Sequence, residues 1–218
     1  MDTNRFKESP FMGILRGVEE DTIEPLVETI ISSGLKTIEI TMNTLSAPKL
    51  IKKAVKVAGG RFTIGAGTVL TTDEIKLAID CGATFIVSPV LIRDVVDYCV
   101  KTKIPVFPGA FTPQEIYAAW QRGATMVKVF PAKFFGPDYF KEIKGPFEDI
   151  ELLACGGVNK DNISSFFSSG ASAIAFGASV FKKDWLSSGK FTEIKDTIEI
   201  LIANSQKSSP KINMKFSS

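Results

Sequence analysis

A lysine stands in the middle of a short apolar run, Met126–Phe130 (MVKVF). Neighbouring residues of a strand face opposite sides, so Lys128 faces the same side as Met126 and Phe130, while the two valines face the other. Burial disfavours the ammonium form and lowers a lysine pKa, which favours the neutral amine that attacks carbonyl carbons. We predict that Lys128 points inward and forms an imine. The alternatives are a lysine paired with a buried carboxylate or one that extends to the rim.

A carboxylate holds a similar position in the run Thr37–Thr41 (TIEIT). Glu39, Thr41 and Asn43 share one face of that strand, and apolar residues take the other. A polar row inside a strand that is buried on both sides needs partners within the protein. We predict that Glu39 is a general base with a pKa raised by burial, close to Lys128. A purely structural carboxylate that neutralises a buried lysine is compatible with that placement.

The chain contains no histidine. This excludes a His-based triad, a His general base and a His-ligated metal. Aldol chemistry needs an electron sink, which either a divalent metal, commonly held by histidines, or a lysine imine can supply. The composition therefore favours the imine, and we predict neither a metal nor a cofactor.

Glycine-rich turns follow the last two apolar runs, at ACGGV and AFGAS. Gly156 and Gly157 in the first turn let backbone N–H groups approach an anion, and Gly177 and Ser179 can do the same in the second. Simple turn glycines are the alternative. Arg16, after the first run, is a candidate anion contact or an ordinary rim arginine.

Eight short runs are rich in β-branched or aromatic residues and bounded by Gly or Pro, which is typical of buried parallel strands. They are Phe11–Leu15, Thr37–Thr41, Phe62–Ala66, Thr84–Ser88, Pro105–Pro108, Met126–Phe130, Ile150–Cys155 and Ala173–Phe176. GAGT (65–68) and Ser88–Pro89 follow the third and fourth runs and are interpreted as turns.

Helical periodicity separates these runs, as in Thr22–Ser33, Thr72–Asp80 and Thr112–Arg122, with Thr72 predicted as an N-cap and Pro113 as a first helical residue. Several helices are predicted to end at a left-handed glycine, namely Gly34, Gly60, Gly82, Gly123 and Gly170.

Eight strands alternating with helices in 218 residues favour an α/β fold, a single (β/α)8 TIM barrel spanning residues 1–204. A doubly wound sheet is the alternative, but no GxGxxG follows the first strand. Residues 205–218 are polar, and we interpret them as a frayed C-terminal tail.

Composition narrows the class of partner. The net charge is +2, and no basic run with interleaved aromatics is present, so nucleic acid is not predicted as a partner. The N-terminus has no apolar signal region and no stretch approaches a membrane span, which predicts a cytoplasmic protein without a membrane partner. The three cysteines indicate neither a disulfide framework nor a zinc site.

Together these residues resemble the 2-keto-3-deoxy-6-phosphogluconate aldolase family, also called 4-hydroxy-2-oxoglutarate aldolases. The matching pieces occur in family order from Ile14 to Phe181: ILRG, EIT, GAGTV, FIVSP, PG, KVFPA, FGP, KGPF and GGV. The resemblance implies a class I aldolase that works as a homotrimer on a small 2-keto acid, releasing pyruvate and glyceraldehyde 3-phosphate, with 4-hydroxy-2-oxoglutarate as a further substrate.

The resemblance also assigns roles to residues. Lys128 matches the Schiff-base lysine and Glu39 the proton acceptor and donor. Thr68 and Pro89 match positions that line the pyruvate site, and Phe130 the residue packed against the imine. Gly156, Gly157, Gly177 and Ser179 match the phosphate region.

Two positions depart from the family pattern. Asn43 stands where many members have an arginine that binds the substrate carboxylate, and an amide lacks that bidentate, charge-assisted contact. With an asparagine at this position the chain resembles the 2-keto-3-deoxy-6-phosphogalactonate aldolases. Arg16 is a candidate to bind the carboxylate instead. Cys155 stands where a threonine is linked to stereochemical preference, and a thiol is a weak hydrogen-bond partner. Both departures bear on the C4 configuration of the substrate.

Three alternatives to the predicted class I aldolase stay open at this point. One is another barrel enzyme that acts on a phosphorylated metabolite of thiamine or tryptophan synthesis. Another is a non-catalytic sugar-phosphate binder on the same scaffold. The third is an aldolase of this family that prefers unphosphorylated 4-hydroxy-2-oxoglutarate.

Overall fold

Short parallel strands form the centre of the fold, which a computed structural model describes for residues 1–206. The strands are β1 (Phe11–Leu15), β2 (Thr37–Thr41), β3 (Thr63–Gly67), β4 (Ile86–Val87), β5 (Val106–Phe107), β6 (Gly109–Ala110), β7 (Val127–Val129), β8 (Leu152–Cys155) and β9 (Ala173–Phe176). Each of the eight predicted runs overlaps one of them, β3 extends one residue beyond its predicted run, and β6 is an additional short piece.

The strands close into a barrel because β5 and β6 are two pieces of one extended segment. In the sheet order β5 and β6 stand at opposite ends. The Phe107 carbonyl accepts from the Ser88 N–H on one side, at 3.2 Å, and the Pro108 carbonyl accepts from the Lys128 N–H on the other, at 2.9 Å. The segment thus joins both ends of the sheet, and the predicted (β/α)8 barrel is confirmed.

Helices follow the strands around the outside. They are α1 (Thr3–Glu8), α2 (Ile23–Ser32), α3 (Ala47–Ala58), α4 (Thr72–Asp80), α5 (Arg93–Lys101), α6 (Pro113–Gln121), α7 (Gly136–Lys144), α8 (Ile163–Ser168), α9 (Lys183–Ser187) and α10 (Phe191–Gln206), with a 3₁₀ turn at Ala132–Phe134. Within residues 1–206 no helix is long and apolar enough to cross a membrane.

Local signals in the sequence set most helix ends. All five predicted C-terminal glycines have positive φ, and Pro113 opens α6 as predicted. The N-cap of α4 is Thr71 and not Thr72: its hydroxyl accepts from the Glu74 N–H, and the Glu74 carboxylate accepts from the Thr71 N–H. Residues 205 and 206 continue α10, and the remainder of the predicted tail lies outside the described residues.

The two faces of each strand pack into two different apolar clusters. Alternate strand residues pack outward against the helices, among them Ile38, Val127 and Val129. The others fill the barrel interior, where helix α1 contributes Phe6, whose ring lies edge-on to Phe107 at 5.7 Å. Met126 and Phe130 belong to this interior cluster, so the predicted parity of the lysine-bearing strand is confirmed.

Candidate active site

Lys128 and Glu39 meet inside the barrel. Lys128 is the central residue of β7 and Glu39 the central residue of β2. Their side chains are 8% and 1% exposed, and Lys128 Nζ lies 3.7 Å from Glu39 Oε1. That distance is an ion pair slightly longer than a hydrogen bond. The predicted proximity of the two groups is therefore present in the fold.

Two glycines of β3 make room for side chains inside the barrel, Gly67 for Glu39 and Gly65 for Phe85. A Cβ at Gly67 would lie 2.6 Å from Glu39 Cδ, and one at Gly65 would lie 2.4 Å from the Phe85 ring. Both distances are too short for any side chain, so this strand must present hydrogen atoms toward the centre of the barrel. The interpretation of the GAG segment as a turn is wrong, because Gly65 and Gly67 belong to the strand.

Burial raises the pKa of the Glu39 carboxyl, although the positive charges of Lys128 and Arg16 act in the opposite direction. Among the described residues, no group donates a hydrogen bond to its second oxygen, Oε2. A buried carboxylate with one uncommitted oxygen is suited to accept a proton.

Burial lowers the pKa of Lys128, but the neighbouring Cys155 and Glu39 side chains raise it, and the net direction is upward. The prediction of a lowered lysine pKa is wrong, because the strand face that buries the lysine also brings these two groups to it. The raised pKa favours the ammonium form of Lys128, whose Nζ lies 3.7 Å from Glu39 Oε1. A neutral amine requires transfer of a proton from Lys128 to a base, and Glu39 is the adjacent one.

Phe130 and Cys155 flank the lysine on the side toward the rim. Lys128 Nζ lies 5.5 Å from the centre of the Phe130 ring, within range of a cation–π contact. The Cys155 thiol, which ends β8, is buried, and it influences the pKa of Lys128. Burial raises the pKa of this thiol, so it is protonated at neutral pH. The lysine therefore has an aromatic ring and a neutral thiol among its neighbours.

The loop after β1 places an arginine over the pair. Arg16 Nη2 donates to Thr68 Oγ1 at 3.4 Å, and Thr68 itself has a left-handed backbone with φ 55°. The next residue, Gly17, donates its N–H at 3.0 Å to Thr44 Oγ1, which lies 2.9 Å from Thr41 Oγ1. Two buried threonine hydroxyls of β2 and its loop thus hold the backbone next to Arg16.

A cavity of about 600 Å³ opens from this region between the loops after β7, β8 and β9. Its lining includes seven of the residues singled out in the sequence, namely Arg16, Phe130, Cys155, Gly156, Gly157, Gly177 and Ser179. Lys128 and Glu39 do not line the cavity themselves, but Phe130, whose ring centre lies 5.5 Å from Lys128 Nζ, connects the lysine with it.

Some predicted residues lie outside this lining. Asn43 is exposed and forms no hydrogen bond within residues 1–206, so the structure gives it no contact with the pair. Thr68 reaches the site through Arg16. Pro89 packs against β6, because a Cβ at Gly109 would lie 2.0 Å from the Pro89 carbonyl oxygen.

Two charged residues of the cavity were not singled out in the sequence analysis. Lys133 lies in the 3₁₀ turn after β7, and Lys183 begins α9. Neither stands inside an apolar run, and an exposed lysine on a loop gives no pattern by which sequence reasoning finds it. Only the folded loops bring them to the same cavity.

Comparisons with known proteins agree with this geometry. A family model described as KDPG and KHG aldolase matches residues 3–197. A probable 2-dehydro-3-deoxy-6-phosphogalactonate aldolase of Rhizobium meliloti is 35% identical over 80% of this chain and 83% of its own. A 2-dehydro-3-deoxy-phosphogluconate aldolase of Haemophilus influenzae is 32% identical over 83% and 87%.

A solved structure has the same architecture. It is a cube-shaped, highly porous protein cage designed by fusing symmetric oligomeric domains. The match has a TM-score of 0.85 and 27% sequence identity, and covers 91% of this chain and 73% of that chain. The family match favours an aldolase over another phosphate-binding barrel enzyme or a non-catalytic binder. The chain belongs to the KDPG and KHG aldolase family and is a carbon–carbon lyase of that type.

Proposed function

We propose that this protein is a class I aldolase that cleaves 2-keto-3-deoxy-6-phosphogluconate to pyruvate and glyceraldehyde 3-phosphate through an imine on Lys128. The observation that carries the proposal is the buried pair of Lys128 and Glu39, 3.7 Å apart, beside a cavity lined by glycine loops. An amine next to a proton acceptor is the arrangement that carbonyl attack requires.

The first half of the reaction forms the imine. Lys128 passes a proton to Glu39 and the free amine attacks C2 of the substrate. Glu39 then protonates the carbinolamine hydroxyl, which leaves as water and gives an iminium. Since burial raises the pKa of Glu39, this carboxyl accepts and holds a proton more readily than an exposed glutamate.

The second half breaks the C3–C4 bond. Glu39, directly or through water, removes the C4 hydroxyl proton, glyceraldehyde 3-phosphate leaves, and the bonding electrons move into an enamine at C3. Protonation of C3 and hydrolysis of the iminium then release pyruvate and restore the Lys128 amine. The iminium is the electron sink, so the lysine performs the role that a divalent metal has in other aldolases.

The remaining predicted residues hold the two ends of the substrate. Arg16 takes the role of the arginine that many family members have at the position of Asn43, and it binds the C1 carboxylate. Its guanidinium is close enough to Glu39 to act on it electrostatically, and it contacts Thr68, which matches a position lining the pyruvate site. Backbone N–H groups of the loops carrying Gly156 and Gly177 bind the phosphate.

The C4 epimer, 2-keto-3-deoxy-6-phosphogalactonate, is a second candidate substrate. It is favoured by the exposed Asn43 and by the name of the Rhizobium meliloti relative. The two acids require the same imine chemistry and differ in the direction of the C4 hydroxyl. Cys155, which borders the cavity beside Lys128, lies where it can distinguish the two configurations.

We also propose that the protein assembles as a homotrimer through an aromatic patch formed by Phe111, Phe134, Phe135 and Tyr139. Phe134 and Phe135 are 68% and 55% exposed. The Phe135 ring stacks on Phe111 at 4.8 Å and on Tyr139 at 5.0 Å, so the patch is continuous. A continuous exposed apolar surface marks a contact site, and the matched cage domain is described as a symmetric oligomer. A cytoplasmic location stays a prediction.

Pyruvate release from both phosphorylated acids tests the lyase assignment. We expect the wild type to cleave at least one of them. Lys128→Met should lower kcat by at least about 10⁴-fold, because without the amine no imine forms. Lys101→Met, which changes an exposed lysine of α5, should keep full activity. Wild-type turnover by Lys128→Met would contradict the imine mechanism, and a preference for one acid would identify the C4 configuration.

The pH dependence of kcat/KM tests the base. Glu39 must be ionised to accept a proton, and its pKa is raised, so activity should be lost on acidification at a pH above the 4.5 of an ordinary glutamate. Glu39→Gln should lower kcat by about 10²–10⁴-fold and remove that acid limb. Glu148→Gln, at an exposed position, is the control. An unchanged acid limb in Glu39→Gln would show that another group titrates.

Sedimentation analysis tests the assembly. We expect a particle of three 23.7 kDa chains. Phe134→Ser should shift it toward the monomer because it places a hydroxyl in the aromatic patch, whereas Leu77→Ser on exposed α4 should not. A monomeric wild type at micromolar concentration would contradict the proposal.

A further inference from the structure

We propose that Lys133 and Lys183 are specificity-determining residues that select substrates carrying a phosphate dianion at the end remote from the imine. This inference rests on the proposed aldolase function and deepens it, because it assigns the choice between phosphorylated and unphosphorylated acids to two side chains of this cavity.

The first support is the sign of the charge around the cavity. Three of its lining residues are charged, Arg16, Lys133 and Lys183, and all three are cations. Arg16 contacts Thr68 and is assigned above to the C1 carboxylate. Within residues 1–206 neither lysine forms an ion pair, in contrast to Lys7, which binds Glu151 at 2.8 Å. The two lysines therefore leave an uncompensated positive charge at the cavity.

The second support is the position of the two lysines in the loops that border the cavity. A Cβ at Gly157 would lie 2.4 Å from Lys133 Cβ, so the lysine stem rests directly against the glycine turn after β8. Its Nζ now lies 5.3 Å from the ring centre of exposed Phe134. Lys183 is the first residue of α9 and follows Ser179, in the loop after β9, by four residues. Both lysines thus line the same cavity as the two glycine turns.

This arrangement fits a phosphate monoester better than a carboxylate. Glycine N–H groups supply directed hydrogen bonds, and lysine ammonium groups supply point charges to a group that carries close to two negative charges. A terminal carboxylate carries one charge, and in 4-hydroxy-2-oxoglutarate it lies closer to the keto carbon. Since Coulomb attraction scales with the product of the charges and falls with distance, the two lysines favour the phosphorylated acid.

The test compares Lys133→Gln, Lys183→Gln and the double variant with Lys160→Gln, an exposed lysine near the same turn that does not line the cavity. We expect each single variant to lose about tenfold and the double variant about 100-fold in kcat/KM for the phosphorylated acid, mainly through KM. Turnover of 4-hydroxy-2-oxoglutarate should change less than about twofold, and Lys160→Gln should match the wild type.

Binding of inorganic phosphate, measured by calorimetry, gives a readout that does not need turnover. It should be weaker in both single variants than in the wild type and in Lys160→Gln. Equal losses on the phosphorylated and unphosphorylated acids, or unchanged phosphate binding, would overturn the inference. A wild type inactive on both acids would remove the proposed function, and phosphate binding would still decide whether the lysines form an anion site.

Discussion

An ion pair in the interior of an otherwise apolar barrel is the constraint on which the remaining structure depends. Removing an ammonium and a carboxylate from water costs several kcal/mol each, and attraction between them offsets that cost only if both stay close. Lys128 and Glu39 meet this condition at 3.7 Å. Strand β3 accommodates the pair by presenting Gly67 where any Cβ would collide with Glu39. Both side chains are almost fully shielded from solvent, and the cavity begins beside them at Phe130 and Cys155.

The barrel was predictable because each signal it needs is local. Apolar runs of four to six residues, helical periodicity between them and a glycine at helix ends are visible without knowledge of the fold, and parity alone placed Lys128 inward. The hydrogen bonds that close the sheet were not visible, since they depend on Pro108 and its neighbours bonding to two different strands. Helix α1 was also missed, because its one buried residue, Phe6, gives no periodic pattern.

The site was only partly predictable, for an electrostatic reason. Burial of a lysine can be inferred from its strand, but the direction of its pKa depends on partners that come from other strands, here Glu39 and Cys155. The contributions of Lys133 and Lys183 depend in the same way on where two surface loops converge. The position of a residue in a strand follows from the local sequence. The electrostatic field at the reacting atoms depends on charged side chains that only the folded barrel brings together.

Borohydride reduction in the presence of pyruvate, followed by peptide mass spectrometry, tests the central claim most directly. An imine becomes a stable secondary amine on reduction, so the account predicts one reduced pyruvate adduct, located on Lys128. A folded protein that gives no adduct, or that carries it on a different lysine, would contradict the account and leave the buried pair as a structural element of the barrel.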